Sequence, residues 1–343
     1  MVGCSGVTSK TLEGVYEETG ALRYTGSVMR CPLGRTTCSG EWTFYYPDGS
    51  LQAQGSFENG EALTSIVGKS DRTVIPLEGR TGVWTEWAPG GRQAARGPYE
   101  DGLKDGFWRT WHPNGQLASE GHFQEGEQQG LHTTWFPDGT RQSEGLFVSG
   151  KAVGKHELWD ERGTLRERGT YTAGRPEGVH SNWSATGVLR EEASYAGGLL
   201  HGTRKLYSKD GTLTSESIYR NGQQHGMQIL YYASGEIRRM SPYLEGELHG
   251  TRIAFGKDGE LLYEIEFEHG EALDPEAARQ ACRLEHGLPG PGDGSQDGSP
   301  ERVVDGADGG PLAPGGASTP GAPGSPLTVG DRRGPGPSGR PGR

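Results

Sequence analysis

From Gly82 onward the chain repeats one pattern of apolar and polar positions every 24 residues. Gly82, Gly106, Gly130, Gly154, Gly178, Gly202, Gly226 and Gly250 open the units. Five residues after each stands a large aromatic: Trp87, Trp111, Trp135, Trp159, Trp183, Tyr207, Tyr231 and Phe255. Further glycines follow at nine and twenty residues, and a second aromatic, Tyr99 through Phe267, at seventeen. Two earlier units are visible, one at Gly40 with Tyr45 in the aromatic position and a degenerate one around Tyr16, Gly20, Leu22 and Gly26. A chain built from one repeated supersecondary unit forms a surface by stacking, which favours binding over catalysis.

Within the unit at Gly106, the segment Phe107–His112 reads as an aromatic-rich strand. Pro113-Asn114-Gly115 then supplies a turn, and Gln116–Phe123 reads as the return strand. Proline presets φ, asparagine bonds back to the backbone, and glycine accepts the left-handed conformation. This chemistry suits a type I turn followed by a bulge, joining antiparallel strands. If His112 closes the loop against Gln116, Trp111 faces Leu117 and Phe107 faces Gly121. The expected core face then carries Trp111 with Leu117, Gly121 and Phe123, aromatics spread over glycines. The structural aromatic ladder is accordingly Tyr45, Trp87, Trp111, Trp135, Trp159, Trp183, Tyr207, Tyr231 and Phe255. A helical reading fails, because interior glycines cost about 1 kcal/mol each relative to alanine and no 3.6-residue stripe appears.

The predicted fold is therefore all-β, an elongated, twisted antiparallel sheet of about ten stacked hairpins over residues 11–273. The spacing from Gly40 to Gly82 is 42 rather than 24 residues, which places an insertion of 18 near residues 63–80. Asp274-Pro275-Glu276 reads as an N-cap, a first helical proline and an acidic first turn, so residues 274–287 are expected to form a short capping helix. Residues 288–343 are Gly- and Pro-rich without aromatics and are expected to be disordered.

Composition narrows the functional classes. Only 31% of residues are hydrophobic, too few for a thick aliphatic core, and the net charge of −11 argues against a general nucleic-acid or anionic-membrane surface. Arg238, Arg239 and Arg252 form the best candidate basic patch, with a solvated strand face as the plain reading.

Cys31 and Cys38 lie in an extended link between the first two units, where a disulfide, two free thiols or, least favoured, a metal site are the alternatives. Val2-Gly3-Cys4-Ser5 resembles the end of a bacterial lipoprotein cleavage box, so Cys4 is either a lipidation site or an ordinary cysteine in the N-terminal segment 1–10. The first alternative implies a signal segment upstream of Met1 and a cell-envelope lipoprotein; the second implies a cytoplasmic protein.

Two histidine rows invite a metal reading: His132, His156 and His180, and His201, His225 and His249. Equivalent positions on successive hairpins lie about 9.6 Å apart. That is too far for an easy shared zinc site, so duplication of the unit is the cheaper explanation. No nucleophile elbow, Walker loop or zincin motif occurs. Catalytic, cofactor and metal residues are therefore all expected to be absent.

The unit at Gly106, with Trp108, Trp111, Gly115, Leu117, Gly121, Phe123 and Gly126, resembles the bacterial variant of the MORN repeat. The unit at Gly40 shares it through Trp42, Tyr45, Gly49, Leu51, Gly55, Phe57 and Gly60. The resemblance implies a hairpin array acting in protein–protein or protein–membrane association, of a type often labelled as the antitoxin component of toxin–antitoxin modules. The expected function is a non-enzymatic scaffold, antitoxin-like or surface-tethered, that is monomeric and binds a protein partner. A peripheral membrane or lipid-binding module is the alternative. The unit's small position drifts to Ala193, Ser217, Ser241 and Ile265 toward the end of the array.

Overall fold

A computed structural model describes residues 8–30, 36–60 and 75–285. Their strands pair antiparallel with their neighbours in chain order, forming one open sheet of ten hairpins. The hairpin at Gly106 shows how the sequence builds each one. Strand β8 (Gly106–Trp111) runs into a loop closed by the His112 amide donating to the Gln116 carbonyl at 2.8 Å, and β9 (Leu117–Gln124) returns. The Asn114 side chain accepts from the Gln116 amide at 3.0 Å, and Gly115 takes φ +89°. Asp48 and Asp138 do the same work in their own loops.

A second turn joins each hairpin to the next. Glu125 and Gly126 both take positive φ, the signature of a type I′ connection, between β9 and β10 (Glu127–Trp135). Asp101-Gly102, Ser149-Gly150 and Asn221-Gly222 repeat it. The glycine amide of each such turn donates to a backbone carbonyl 22 residues earlier, as Gly126 does to Lys104 and Gly150 to Gln128. Successive turns are thereby laced together along one edge.

The register differs from the sequence expectation by one residue. Trp111 pairs with Leu117 as expected, but Thr110 pairs with Ser119, leaving Ala118 as the extra residue of a β-bulge. Trp108 therefore faces Gly121, while Phe107 faces His122. A bulge shifts every residue beyond it to the opposite partner parity. The same shift precedes Trp87, Trp135, Trp159, Trp183, Tyr207, Tyr231 and Phe255.

The core is consequently a ladder of side chains two residues after each opening glycine. Trp42, Trp84, Trp108, His132, His156 and His180 are all buried. Each stacks against a glycine of the preceding hairpin, from Gly26 under Trp42 to Gly169 under His180, where a Cβ would overlap the ring. Phe57, Tyr99, Phe147, Tyr171 and Tyr195 stand between these rungs in mainly edge-to-face contacts, with centroids 4.8–6.3 Å apart.

At the C-terminal end the helix α1 spans Pro275–Glu285, with Asp274 accepting from the amides of Glu276 and Ala277 at 3.0 Å. Its Ala281 packs with Ile265 and Phe267 of β22 (Leu261–Glu268). Ile265 occupies the small-residue position, and no further ring follows to stack on it. The glycine of earlier units becomes a large apolar residue there because the helix covers it. Among the described residues no helix is long and apolar enough to cross a membrane. The tail 288–343, most of the insertion, Cys4 and Cys31 lie outside the described residues.

Candidate binding surfaces

The two faces of the sheet differ in chemistry. On the ladder face, polar groups serve the core. Trp42, Trp84 and Trp108 donate their indole N–H to the carbonyls of Ser27, Ser56 and Pro98 at 2.8–3.1 Å. His132, His156 and His180 place Nε2 2.6–2.9 Å from the equivalent carbonyls of His122, Leu146 and Thr170. These histidines stand in for tryptophan, with Nε2 as donor. Burial lowers the pKa of His132 and His156, favouring the neutral ring. Gln128 Nε2 lies 3.2 Å from His132 Nδ1, consistent with that nitrogen acting as acceptor.

Cations cover two of the tryptophan rungs, Trp84 and Trp108. The Arg80 guanidinium lies 4.3 Å from the Trp84 ring centroid and 5.1 Å from that of Tyr99. It also bonds Glu86 at 2.9 Å and the carbonyls of Ile75 and Pro76, which anchors the end of the insertion to the array. Sequence reasoning passed over Arg80; its place in the turn-to-turn repeat, equivalent to Lys104, was the available signal. The Lys104 ammonium sits over Trp108 at 4.4 Å and Phe123 at 5.2 Å, and burial depresses its pKa.

Farther along the ladder the rungs become Arg204, Gln228 and Arg252, and their small partners become Ala193, Ser217 and Ser241. Without a ring to seat, a Cβ is tolerated. Arg204 bonds Glu191 at 2.7 Å, and Arg252 bonds Ser241 at 3.2 Å while lying 4.9 Å from the Phe267 centroid. Arg239 is held 3.3 Å from Glu285 of α1, which also accepts from the Tyr263 hydroxyl. Arg239 and Arg252 are thus packed at the C-terminal end, while Arg238 is exposed. The first two do not form the solvated strand face of the plain reading.

In the second histidine row His201 serves a turn, whereas His249 packs against His269 with ring centroids 5.6 Å apart. His201 Nδ1 accepts from the Asn221 amide at 3.5 Å, as Asp105, Gln129 and Glu177 accept from the equivalent turn amides. Among the described residues no group of three metal-ligating side chains converges. A cleft beside the first of these turns is lined by Glu100, Asp101, Asp105, His122 and Glu125, with the Asp105 carboxylate already engaged by the Glu125 amide. Cys38 is buried in β3 (Thr36–Tyr45), and burial raises its thiol pKa to about 11.

The expected aromatic ladder occupies the opposite, outer face. Alternation along β8 puts Trp111 across the sheet from Trp108 and Thr110, and the bulge carries this through every unit. Tyr45, Trp87, Trp111, Trp135, Trp159, Trp183, Tyr207, Tyr231 and Phe255 are all half-buried. Arg168 stacks near Trp183 at 5.8 Å, and the Tyr207 hydroxyl donates to Glu192 at 3.0 Å. The backbone of this row is stapled from the preceding unit: Tyr46, His112 and Tyr232 bond the carbonyls of Trp87, Trp135 and Phe255 at 2.7–2.8 Å. Exposed Val83, Leu131 and Val179 form a second apolar row on this face.

No curated protein matches the chain. Among solved structures, the crystal structure of TcdB2-TccC3 is 12% identical, with 76% of this chain aligned to 15% of that one and a TM-score of 0.17. The crystal structure of TcdB2-TccC3-Cdc42 is 14% identical, with 76% aligned to 14% and a TM-score of 0.18. The chain thus spans about one-seventh of the length of these structures, and likenesses of this size carry no functional argument. Three segments, residues 39–59, 104–125 and 200–221, match the family model of the MORN repeat variant, each on one of the hairpins described above.

Proposed function

We propose that the chain is a non-enzymatic repeat scaffold whose outer face binds another protein. The supporting observation is the division of labour between the faces. The ladder face uses its rings, glycines and buried polar groups on itself, whereas the outer face presents a regular row of half-buried aromatics beside exposed Val83, Leu131 and Val179. Aromatic side chains give large, rigid contact area at low entropic cost. An antitoxin-like partnership and tethering through a lipid on Cys4 are two settings for the same scaffold. The test is a photo-cross-linking residue at Leu131 or Val179, compared with one on the ladder face at Asn182. A discrete cross-linked partner from the outer face alone supports the reading; equal labelling from both faces, or none, removes it.

The second reading is a peripheral lipid-binding module, favoured by the same exposed apolar row and opposed by the net charge of −11. Flotation of the full chain with liposomes of neutral and anionic lipid separates the two. Flotation with the L131E/V179E variant lost would favour direct lipid recognition.

A further inference from the structure

The two ends of the sheet are unlike. At the C-terminal end α1 covers Ile265 and Phe267. At the other end, among the described residues, β1 (Thr8–Val15) pairs with β2 (Leu22–Arg30) alone. An edge of unpaired backbone donors and acceptors is a template for a further strand. β1 contains no proline, and its register against β2 is unbroken from Thr8 to Gly14.

The first rung of the ladder is Leu12, which stands across from Gly26 and packs on the core. Trp42, Trp84 and Trp108 each require a glycine on the strand before them, because their rings occupy the place of its Cβ. Leu12 carries no ring and makes no such demand on a strand added beside it. It can stand opposite another leucine.

Two copies of β1 meeting edge to edge are related by a two-fold axis normal to the sheet, which keeps both ladder faces on one side. Residues of like parity then stand opposite one another, and the seam can centre on Lys10, Thr11, Leu12 or Glu13. Centring on Lys10 or Glu13 sets like charges together, which is unfavourable. Centring on Thr11 sets Lys10 against Leu12. Centring on Leu12 instead sets leucine against leucine on the ladder face and exposed Thr11 against exposed Glu13, twice, on the outer face. The array already contains that second pairing: Thr251 stands opposite Glu266, and its hydroxyl donates to the carboxylate at 3.0 Å. The same register sets Lys10 against Gly14, where the Tyr24 ring fills the place of a Cβ. The ammonium thereby gains an aromatic neighbour, as Lys104 does over Trp108 at 4.4 Å.

We propose that β1 is a homodimer interface, at which the edge strands of two copies pair antiparallel about Leu12 and join two sheets into one. The contact is self-complementary, so it closes at two copies. This goes beyond the scaffold reading and fails separately: cross-linking of another protein at Leu131 or Val179 stands whether or not two copies pair at β1.

The test is sedimentation equilibrium of the full chain and of charge variants at the two exposed positions. The unsubstituted chain should show a monomer–dimer equilibrium. T11E sets a second carboxylate against Glu13 at two places in the seam and should raise the dimer dissociation constant about tenfold or more. T11E/E13R turns both repulsions into opposite-charge pairs and should restore the association. Amide exchange across Thr8–Val15 should slow with rising concentration of the unsubstituted chain, and T11E should lose that dependence. A chain that stays monomeric overturns the proposal, as does T11E that dimerises undiminished. Rescue is specific to the register, because centring on Thr11 would set position 13 against Ser9. T11E/E13R that associates no better than T11E therefore overturns it as well.

Discussion

The imidazole of His132 lies directly against Gly121, leaving no room there for a Cβ. The same contact recurs as Trp108 on Gly97 and His156 on Gly145. It disappears where the rung is Gln228 and the small position is Ser217. Rung and small residue therefore form a matched pair: ring with glycine, flexible side chain with serine or alanine.

That matching predicts coupling. Gly121→Ser alone should cost about 1–3 kcal/mol, because the added atoms force the ring off its seat. In the double variant G121S/H132Q, which reproduces the Ser217–Gln228 pair, the loss should be clearly smaller than the sum of the two single losses. Urea unfolding of all four proteins measures the cycle. Strict additivity would show that ring and glycine are independent.

The one-residue bulge predicts unequal costs for two tryptophans three positions apart. Trp108→Ala removes a 2% exposed core ring and should cost about 3–5 kcal/mol. Trp111→Ala trims a half-exposed ring on the other face and should cost about 1 kcal/mol. Thermal unfolding of both distinguishes this register from the one with Trp111 in the core, which would reverse the order.

Acid should weaken the middle of the array. Burial holds the pKa of His132 and His156 below the ordinary imidazole value of about 6.5 in the folded chain. Below about pH 6.5 the unfolded chain therefore binds more protons than the folded one, so stability falls with pH until the lowered folded values are passed. The contribution is fully present above pH 6.5. Urea midpoints between pH 7.5 and 5 should show this slope, and H132Q/H156Q should flatten it. An unchanged slope in that variant would assign the effect to other groups.

The helix α1 is pinned by Glu285, which accepts from Tyr263 and Arg239. Glu285→Ala leaves both groups without that acceptor and should destabilise the cap locally by about 1–3 kcal/mol. Amide exchange across Pro275–Glu285 should accelerate about tenfold or more. Exchange before Gly202 should not change, because a stack of this kind transmits stability mainly between neighbours. Faster exchange throughout would mean that the helix stabilises the whole array.

Much of this architecture was readable from residues alone. Pro113-Asn114-Gly115 specified its loop, with the His112–Gln116 closure, because turn chemistry is local. The cap at Asp274 was readable for the same reason. The type I′ turns such as Glu125-Gly126 were marked by their glycines, but their role as the second connection needed the pairing of β9 with β10. The role of Arg80 depended on two rings, Trp84 and Tyr99, that only the fold brings around it.

By itself the sequence determined the unit: its 24-residue period, its turns, its antiparallel strands and the end of the array at Asp274. These rest on φ preferences and side-chain-to-backbone bonds spanning a few residues. Tertiary structure decided which aromatic of each unit is core and which faces outward. One extra residue, Ala118 in the hairpin at Gly106, inverts the pairing beyond it. Either face could have carried the rings by pattern alone. Stacking against the glycines of the neighbouring hairpin selects Trp108 and its equivalents, buries the first histidine row as substitute rungs, and leaves the Trp111 row free on the outer face.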